Sequence, residues 1–200
     1  YGEPNQEKIG VQLEDKYYDV EAFGGDYNEQ FFANDGLARL EEFVKANEGK
    51  LVEIPSGSRI GSPIARPSKI VCIGLNYKDH AAETNAKIPA EPIIFMKSTT
   101  SLAGPYDNIV IPKGSTKTDW EVEFGIVISK KASYVNEQEA LEYVAGYVLH
   151  NDVSEREYQL ERGGTWDKGK GCDTFAPIGP FLTTKDEIAD INNVNLWLKV

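Results

Sequence analysis

The chain has 200 residues, of which 40% are hydrophobic and 26% charged, enough to bury a core as one or two domains. Its 32 acidic against 21 basic residues give a formal net charge of −11, which argues against nucleic acid and anionic membranes as partners. No apolar run approaches a membrane span of roughly 20 residues, and no signal peptide is visible at Tyr1. Cys72 and Cys172 stand alone, so we expect a cytoplasmic protein with reduced thiols.

A small N-terminal α/β domain is predicted first. Residues 8–23 alternate like a β-hairpin that turns near Glu14 and Asp15. A helix capped by Asn34 or Asp35 follows and ends at 47–49, and residues 51–55 then form a short strand. Because residues 55–69 are rich in Pro, Gly and Ser, the predicted domains are 1–65 and 66–200.

The second domain is predicted to be rich in strands without regular strand–helix alternation, which makes the fold class α+β, mostly β. The predicted strands are residues 69–75, 92–97, 108–112, 120–129, 146–152, 179–183 and 194–200. The predicted helices are residues 76–84, 136–145 and 154–162, the last two opened by the capping-box patterns "NEQE" and "SERE". Since the chain begins without Met and stops inside an alternating run, we expect further segments at both ends.

The segment "DWEVEFGIVI" (119–128) reads as a strand with an apolar core face and with Glu121 and Glu123 together on the other face. Carboxylates at i and i+2 lie roughly 7 Å apart, and a cation would relieve their repulsion. With Asp152, at the end of the strand "GYVLHND", they would supply three hard oxygen donors for Mg²⁺ or Mn²⁺. The alternative is a solvated, edge-protecting strand face.

His80 and Glu83 stand at i and i+3 of the helix predicted in "GLNYKDHAAET", so the carboxylate can orient the imidazole as a base. A surface histidine near a glutamate is the alternative. The pattern leaves open whether His150 shares a face with Asp152. Lys170 lies between glycines and could balance an oxyanion, or could be a flexible surface lysine.

Five segments together resemble the fumarylacetoacetate hydrolase family over about residues 69–200. They are "VCIGLNYKDHAAE", "EPIIFMKSTTSL", "TDWEVEFGIVI", "YVLHNDVSEREYQ" and "GKGCDTFAPIGP". The resemblance implies a mixed β-roll catalytic domain with a smaller N-terminal domain, a bound Mg²⁺ or Mn²⁺ ion, a homodimer, and chemistry on small 2-oxo or 2,4-dioxo acids. Within the family, the sequence is most similar to the subgroup that acts on 2,4-diketo-3-deoxy sugar acids.

The resemblance also implies roles for individual residues. The metal ligands would be Glu121, Glu123 and Asp152, and the water-activating dyad would be His80 with Glu83. The residues that contact substrate or its oxyanion would be Lys97, Gln159 and Lys170. Many family members have Arg where Leu75 stands, so we expect no contact from this position to a substrate carboxylate.

The leading hypothesis is metal-assisted hydrolysis of a carbon–carbon bond in a 2,4-dioxo acid, which yields pyruvate and a second acid. Tautomerisation or isomerisation, hydration, and decarboxylation of a 2-oxo acid could use the same site. A non-catalytic β-rich module that holds Ca²⁺ is the remaining alternative.

Overall fold

All residues, 1–200, are described by the computed structural model. The N-terminal part is a three-stranded antiparallel sheet of order β1-β2-β3 with two helices. Its elements are β1 (Gly10–Leu13), β2 (Lys16–Asp19), α1 (Glu29–Ala33), α2 (Gly36–Ala46) and β3 (Val52–Glu53). The predicted hairpin, helix and short strand are confirmed. The small core of this part consists of Ile9, Val20, Phe31 and Leu40.

The beginning of the N-terminal helical region differs from the prediction. Helix α1 was not predicted, and its cap is Asn28, whose side chain accepts a hydrogen bond from the Phe31 amide at 3.1 Å. Asp35 precedes α2 with φ +52° and makes no side-chain capping bond. Helix α2 therefore begins directly after Asp35, as predicted, but this residue turns the chain in a left-handed conformation and does not cap the helix with its side chain.

Eleven further elements follow the N-terminal part. They are β4 (Ile70–Gly74), α3 (Lys78–Glu83), β5 (Ile93–Lys97), β6 (Leu102–Ala103), β7 (Thr118–Asp119), β8 (Val122–Ile128), β9 (Val144–Asn151), β10 (Ser154–Glu155), α4 (Asp167–Lys170), β11 (Ala176–Pro177) and β12 (Thr183–Thr184). A π-helical turn spans Glu157–Glu161. Turns of 3₁₀ helix lie at Glu21–Phe23, Thr99–Ser101, Glu137–Tyr143, Lys185–Glu187 and Ile191–Asn193.

Antiparallel pairs dominate the second part. Strands β4 and β5 pair along their full length, and β9 lies between β8 and β12. Strand β10 pairs with β7, whereas β11 and β6 are parallel. Strands thus outnumber short helices throughout, and the predicted α+β, mostly β fold class is confirmed. No helix of the protein has both the length and the apolar character needed to cross a membrane.

Three of the predicted strands are wrong or misplaced. Residues 108–112 form no strand, because the Val110 amide donates to the Thr174 hydroxyl at 2.8 Å instead of to a neighbouring strand. Residues 194–200 have no pairing partner and form no strand. Of residues 179–183, only Thr183 lies in a strand, since β12 begins there.

The two predicted capping boxes do not form. The segment after Asn136 is a 3₁₀ turn without a side-chain cap, and it gives way to β9 at Val144. Ser154 donates its hydroxyl to the carbonyl oxygen of Asp152 and belongs to β10, so helical structure begins only at Glu157. Tertiary pairing with β7 therefore overrides the local capping signal.

The apolar face of β8 is not the core face that its sequence predicts. Trp120, Ile126 and Ile128 are 48%, 51% and 56% exposed, respectively. The face that carries Glu121 and Glu123 is the one directed at buried side chains of the protein, which are described below. The alternation of apolar and polar residues thus identified the two faces of β8 correctly, but the prediction that the apolar face is buried is wrong.

Arg59 connects the N-terminal part of the chain to the second part. Its guanidinium donates two hydrogen bonds to Asp107, at 2.7 and 2.6 Å, and two at 2.9 Å to Glu7 and the carbonyl oxygen of Gly2. The Arg59 hydrogen bonds hold the pKa of Asp107 below its usual value despite partial burial. The Pro-, Gly- and Ser-rich segment 55–69, between the predicted domains, is thus held at Arg59 by charge-assisted bonds. The domain division at residues 65 and 66 stays a prediction.

Candidate active site

Two adjacent strands place four ionisable side chains on one face of a sheet. Glu123 of β8 lies directly opposite His150 of β9. The Asp152 amide continues this ladder by donating to the carbonyl oxygen of Glu121 at 2.9 Å. Because side chains alternate between faces and opposite residues share a face, these four side chains lie on the same side. The structure therefore settles the position of His150, which the sequence left open.

Asp152 lies at the centre of a buried charge cluster and is 2% exposed. One of its oxygens accepts from Lys97, and the other accepts from Lys170 at 3.0 Å. Lys170 also donates to Glu121 at 2.8 Å and lies over the Phe95 ring. Burial would raise the pKa of Asp152, but the two ammonium groups outweigh burial and hold it below its usual value. Both lysines are buried, so neither is a flexible surface residue.

Arg156 was missed by the sequence analysis and is part of the same cluster. It forms an ion pair with Glu121 and donates two hydrogen bonds to one oxygen of Asp119, at 2.9 and 2.7 Å. It also donates to the side-chain oxygen of Gln159 at 3.1 Å, and Gln159 is buried. A basic residue two positions after the Ser154 of "NDVSER" was the available signal, but only tertiary structure shows its acidic partners.

Glu123 differs from the other two carboxylates because no basic side chain forms an ion pair with it. The Tyr77 hydroxyl lies beside its carboxylate and accepts the Phe124 amide at 3.4 Å. Burial, and then the neighbouring Glu121 carboxylate, raise the pKa of Glu123 to about 7. The site thus contains a carboxylate whose negative charge is poorly compensated by the protein.

The segment that carries Lys170 is held by close packing. Gly169 lies so near β10 and the π-helical turn that a Cβ atom there would stand 2.4 Å from the Glu155 carbonyl oxygen and 2.6 Å from the Gln159 amide nitrogen. Asp167 accepts the Met96 amide at 2.9 Å, which joins α4 to β5. Gly169 therefore permits close backbone packing within the protein, and Lys170 is the last residue of the short helix α4.

The predicted dyad residues lie on one helix, α3, and are not joined to the cluster by a hydrogen bond. His80 is half-buried and Glu83 is exposed, and neither side chain forms a hydrogen bond with the other. Tyr77, which immediately precedes α3, is the residue that contacts β8. The predicted catalytic roles of His80 and Glu83 stay predictions.

The donor types of the cluster suit a divalent cation, although the side chains are not arranged around one. No group of three His, Cys, Asp or Glu side chains is positioned to hold a metal ion as it stands. The oxygens of Glu121 and Asp152 are instead satisfied by the ammonium groups of Lys97 and Lys170. Three carboxylates on one face, of which Glu123 has no cationic partner, are nevertheless the hard oxygen donors that Mg²⁺ and Mn²⁺ prefer. The residues present therefore fit such an ion in their donor chemistry.

The sequence model of the fumarylacetoacetate (FAA) hydrolase C-terminal domain matches residues 69–200. This match covers β4 to the end of the chain and includes every residue of the cluster. The chain belongs to the fumarylacetoacetate hydrolase family.

Similar proteins are known in several bacteria. One relative is a protein of Burkholderia multivorans that is provisionally named a hydrolase. It is 50% identical to this chain over 202 residues, which cover 100% of this chain and 70% of the relative. The maleylpyruvate hydrolase of Sphingobium sp. SYK-6, solved with manganese(II) and pyruvate, is 25% identical with a TM-score of 0.74, over 92% of this chain and 66% of that one. The 5-carboxymethyl-2-hydroxymuconate delta-isomerase of Mycobacterium smegmatis is 35% identical with a TM-score of 0.58, over 67% of this chain and 53% of that one.

Proposed function

We propose that this protein is a divalent-metal-dependent hydrolase that cleaves a carbon–carbon bond in a 2,4-dioxo acid, an acylpyruvate or a 2,4-diketo-3-deoxy sugar acid, to give pyruvate and a second acid. The observation that carries the proposal is the buried cluster in which Lys97, Lys170 and Arg156 surround two carboxylates. A hydrolase relative that was solved with manganese(II) and pyruvate supports the same chemistry.

The cation would be held by Glu121, Glu123 and Asp152. When bound, Mg²⁺ or Mn²⁺ acts as a Lewis acid that polarises a substrate carbonyl and orients the 2-oxo acid. The ammonium groups of Lys97 and Lys170, which bond to Asp152 and Glu121 in the structure, would donate to substrate oxygens. Lys170 stabilises the negative charge that develops on the departing enolate, and Gln159 supplies a second buried polar contact.

Proton transfer is assigned to the residues of α3. Glu83 would orient the imidazole of His80 once their side chains meet, and His80 would accept a proton from the water that attacks the C4 carbonyl carbon. The bond between C3 and C4 then breaks, and its electron pair remains on C3 as the pyruvate enolate. His80 returns the proton to C3, so the step is balanced. For this transfer α3 must approach the cluster, and Tyr77 is the contact that links it to β8.

The proposal is tested by product analysis with 2,4-dioxo acids in Mg²⁺ or Mn²⁺ and after chelation of the metal. Equal amounts of pyruvate and a second acid are expected, and none after chelation. His80→Ala should retain metal binding and lower kcat by about 10²- to 10⁴-fold, the usual contribution of a positioned base. Unchanged turnover in this variant would exclude the dyad role.

An isomerase is the second candidate, because a family member 35% identical to this chain is an isomerase. The same assay separates the possibilities: a product of unchanged mass indicates isomerisation or tautomerisation, addition of water without cleavage indicates hydration, and release of carbon dioxide indicates decarboxylation. Tight Ca²⁺ binding without turnover in any metal would instead support a binding module. The homodimer stays a prediction that light scattering can test.

A further inference from the structure

His150 is a buried histidine whose protonation pattern can be read from its contacts. Its side chain lies in β9 and the residue is 9% exposed. The Nδ1 atom lies 3.1 Å from the carbonyl oxygen of Pro177. Because a carbonyl oxygen can only accept, Nδ1 carries the hydrogen and donates it. In the neutral ring, the lone pair is therefore on Nε2.

This Nε2 atom is the single buried side-chain nitrogen or oxygen in the structure that has no hydrogen-bond partner. A buried acceptor without a partner is unfavourable, so native proteins normally provide one. No donor of the chain lies within hydrogen-bond distance of Nε2. The hydrogen bonds of Lys97 and Lys170 are directed instead to Asp152, Glu121 and the Val153 carbonyl oxygen. The nitrogen is thus free to take a partner from outside the chain.

The strand register places this unsatisfied nitrogen on the face of the three carboxylates. His150 lies directly opposite Glu123, and Asp152 follows it by two positions on the same strand edge. Directly opposite residues have Cβ atoms about 4.5–5.5 Å apart. The register thus makes His150 the cross-strand neighbour of Glu123, a carboxylate without a cationic partner.

We propose that His150 Nε2 is a nitrogen ligand of the cation bound by Glu121, Glu123 and Asp152. The inference rests on the metal dependence of the proposed function and extends its three-oxygen site. Metal-binding histidines almost always donate their other ring N–H to a carboxylate, a backbone carbonyl or water, which is the arrangement at Pro177. An imidazole donor favours Mn²⁺ and later transition metals over Mg²⁺. His150 would therefore make this site selective for Mn²⁺ or Fe²⁺ over Mg²⁺.

The test is pulsed electron paramagnetic resonance of the Mn²⁺-loaded protein, which detects ¹⁴N coupling from a directly bound imidazole. The chain has only 2 histidines, so two variants assign the signal. The coupling is expected in the unmutated protein and in the control His80→Asn, and it should be lost in His150→Leu. Calorimetric titration should show that His150→Leu weakens Mn²⁺ binding by at least about tenfold, the smallest loss typical of even an outer partner of a metal site. Mg²⁺ binding should change by less than about threefold, because Mg²⁺ prefers oxygen ligands.

The outcomes separate this inference from the proposed function. Tight Mn²⁺ binding without imidazole coupling in the unmutated protein overturns the role of His150 and leaves the metal-dependent activity standing. Absence of Mn²⁺ binding overturns both. If circular dichroism shows that His150→Leu is unfolded, the resonance spectra of the unmutated protein and of His80→Asn decide the assignment. Imidazole coupling that persists in His80→Asn can come only from His150.

Discussion

Replacement of Lys97 by Met tests whether the buried charge cluster is held together by the ion pairs described above. The Lys97 side chain is 0% exposed, and its ammonium group donates to Asp152 and, at 3.0 Å, to the Val153 carbonyl oxygen. Met is unbranched and of similar length, so it can fill much of the same space without the charge. The variant leaves the buried Asp152 with Lys170 as its one remaining cationic partner.

Two opposing effects set the size of the change. Removing one partner of a buried pair typically costs about 3–5 kcal/mol, because a charge is left uncompensated. Lys170 still compensates part of the Asp152 charge, and the ammonium group of Lys97 no longer has to be buried. Burial holds the pKa of Lys97 below its usual value, because the ammonium group is less well solvated there than in water. We therefore expect a net loss of about 2 kcal/mol in the free energy of unfolding.

Urea denaturation of the single variants Lys97→Met and Asp152→Asn and of the double variant measures this coupling as a double-mutant cycle. The double variant should be less destabilised than the sum of the single variants by about 1–3 kcal/mol, which lies within the range of about 0.5–3 kcal/mol for residues of one ion-pair network. Additive effects within about 0.5 kcal/mol would refute the reasoning, since independent sites behave in that way.

Three further substitutions have defined outcomes. Gly169→Ala places a Cβ atom 2.4 Å from the Glu155 carbonyl oxygen. Thermal denaturation should show that the free energy of unfolding falls by about 1–3 kcal/mol, as expected for overpacking. An unchanged melting temperature would contradict the close packing of α4. Arg59→Gln should lower the free energy of unfolding at neutral pH, where Asp107 is ionised in the folded and the unfolded state. This loss should shrink as the pH falls through and below the ordinary Asp value of 3.8, because Arg59 lowers the pKa of Asp107 in the folded state. A loss that is independent of pH would contradict this. Tyr77→Phe should increase amide hydrogen exchange in α3 without changing exchange in β9, and equal exchange in α3 would show that the hydroxyl does not tether this helix.

The sequence predicted the elements whose signals are local. Alternation identified β8 and its two faces, and the strand predicted at "GYVLHND" is confirmed by β9, which ends at Asn151, one residue before Asp152. The fold class followed from the same patterns. Glu121 and Glu123 could be placed together because strand periodicity alone determines which side chains share a face.

The parts that the sequence did not predict depend on distant residues. Lys97 bonds to Asp152 from 55 positions away, and no periodicity encodes that contact. The capping signal at Ser154 lost to pairing between β10 and β7, which is a tertiary interaction. The exposure of Ile126 could not be predicted, since alternation shows which residues share a face and not what covers it.

The central claim is that Glu121, Glu123 and Asp152 hold a divalent cation, and calorimetric titration with Mn²⁺ tests it most directly. Glu123→Gln is the sharpest variant, because Glu123 forms no ion pair that its loss would break, and Glu83→Gln on α3 is the matched control. One Mn²⁺ per chain should bind to the unmutated protein and to the control, with an affinity at least about tenfold weaker in Glu123→Gln. Equal affinity in all three proteins, or no binding at all, would contradict the account.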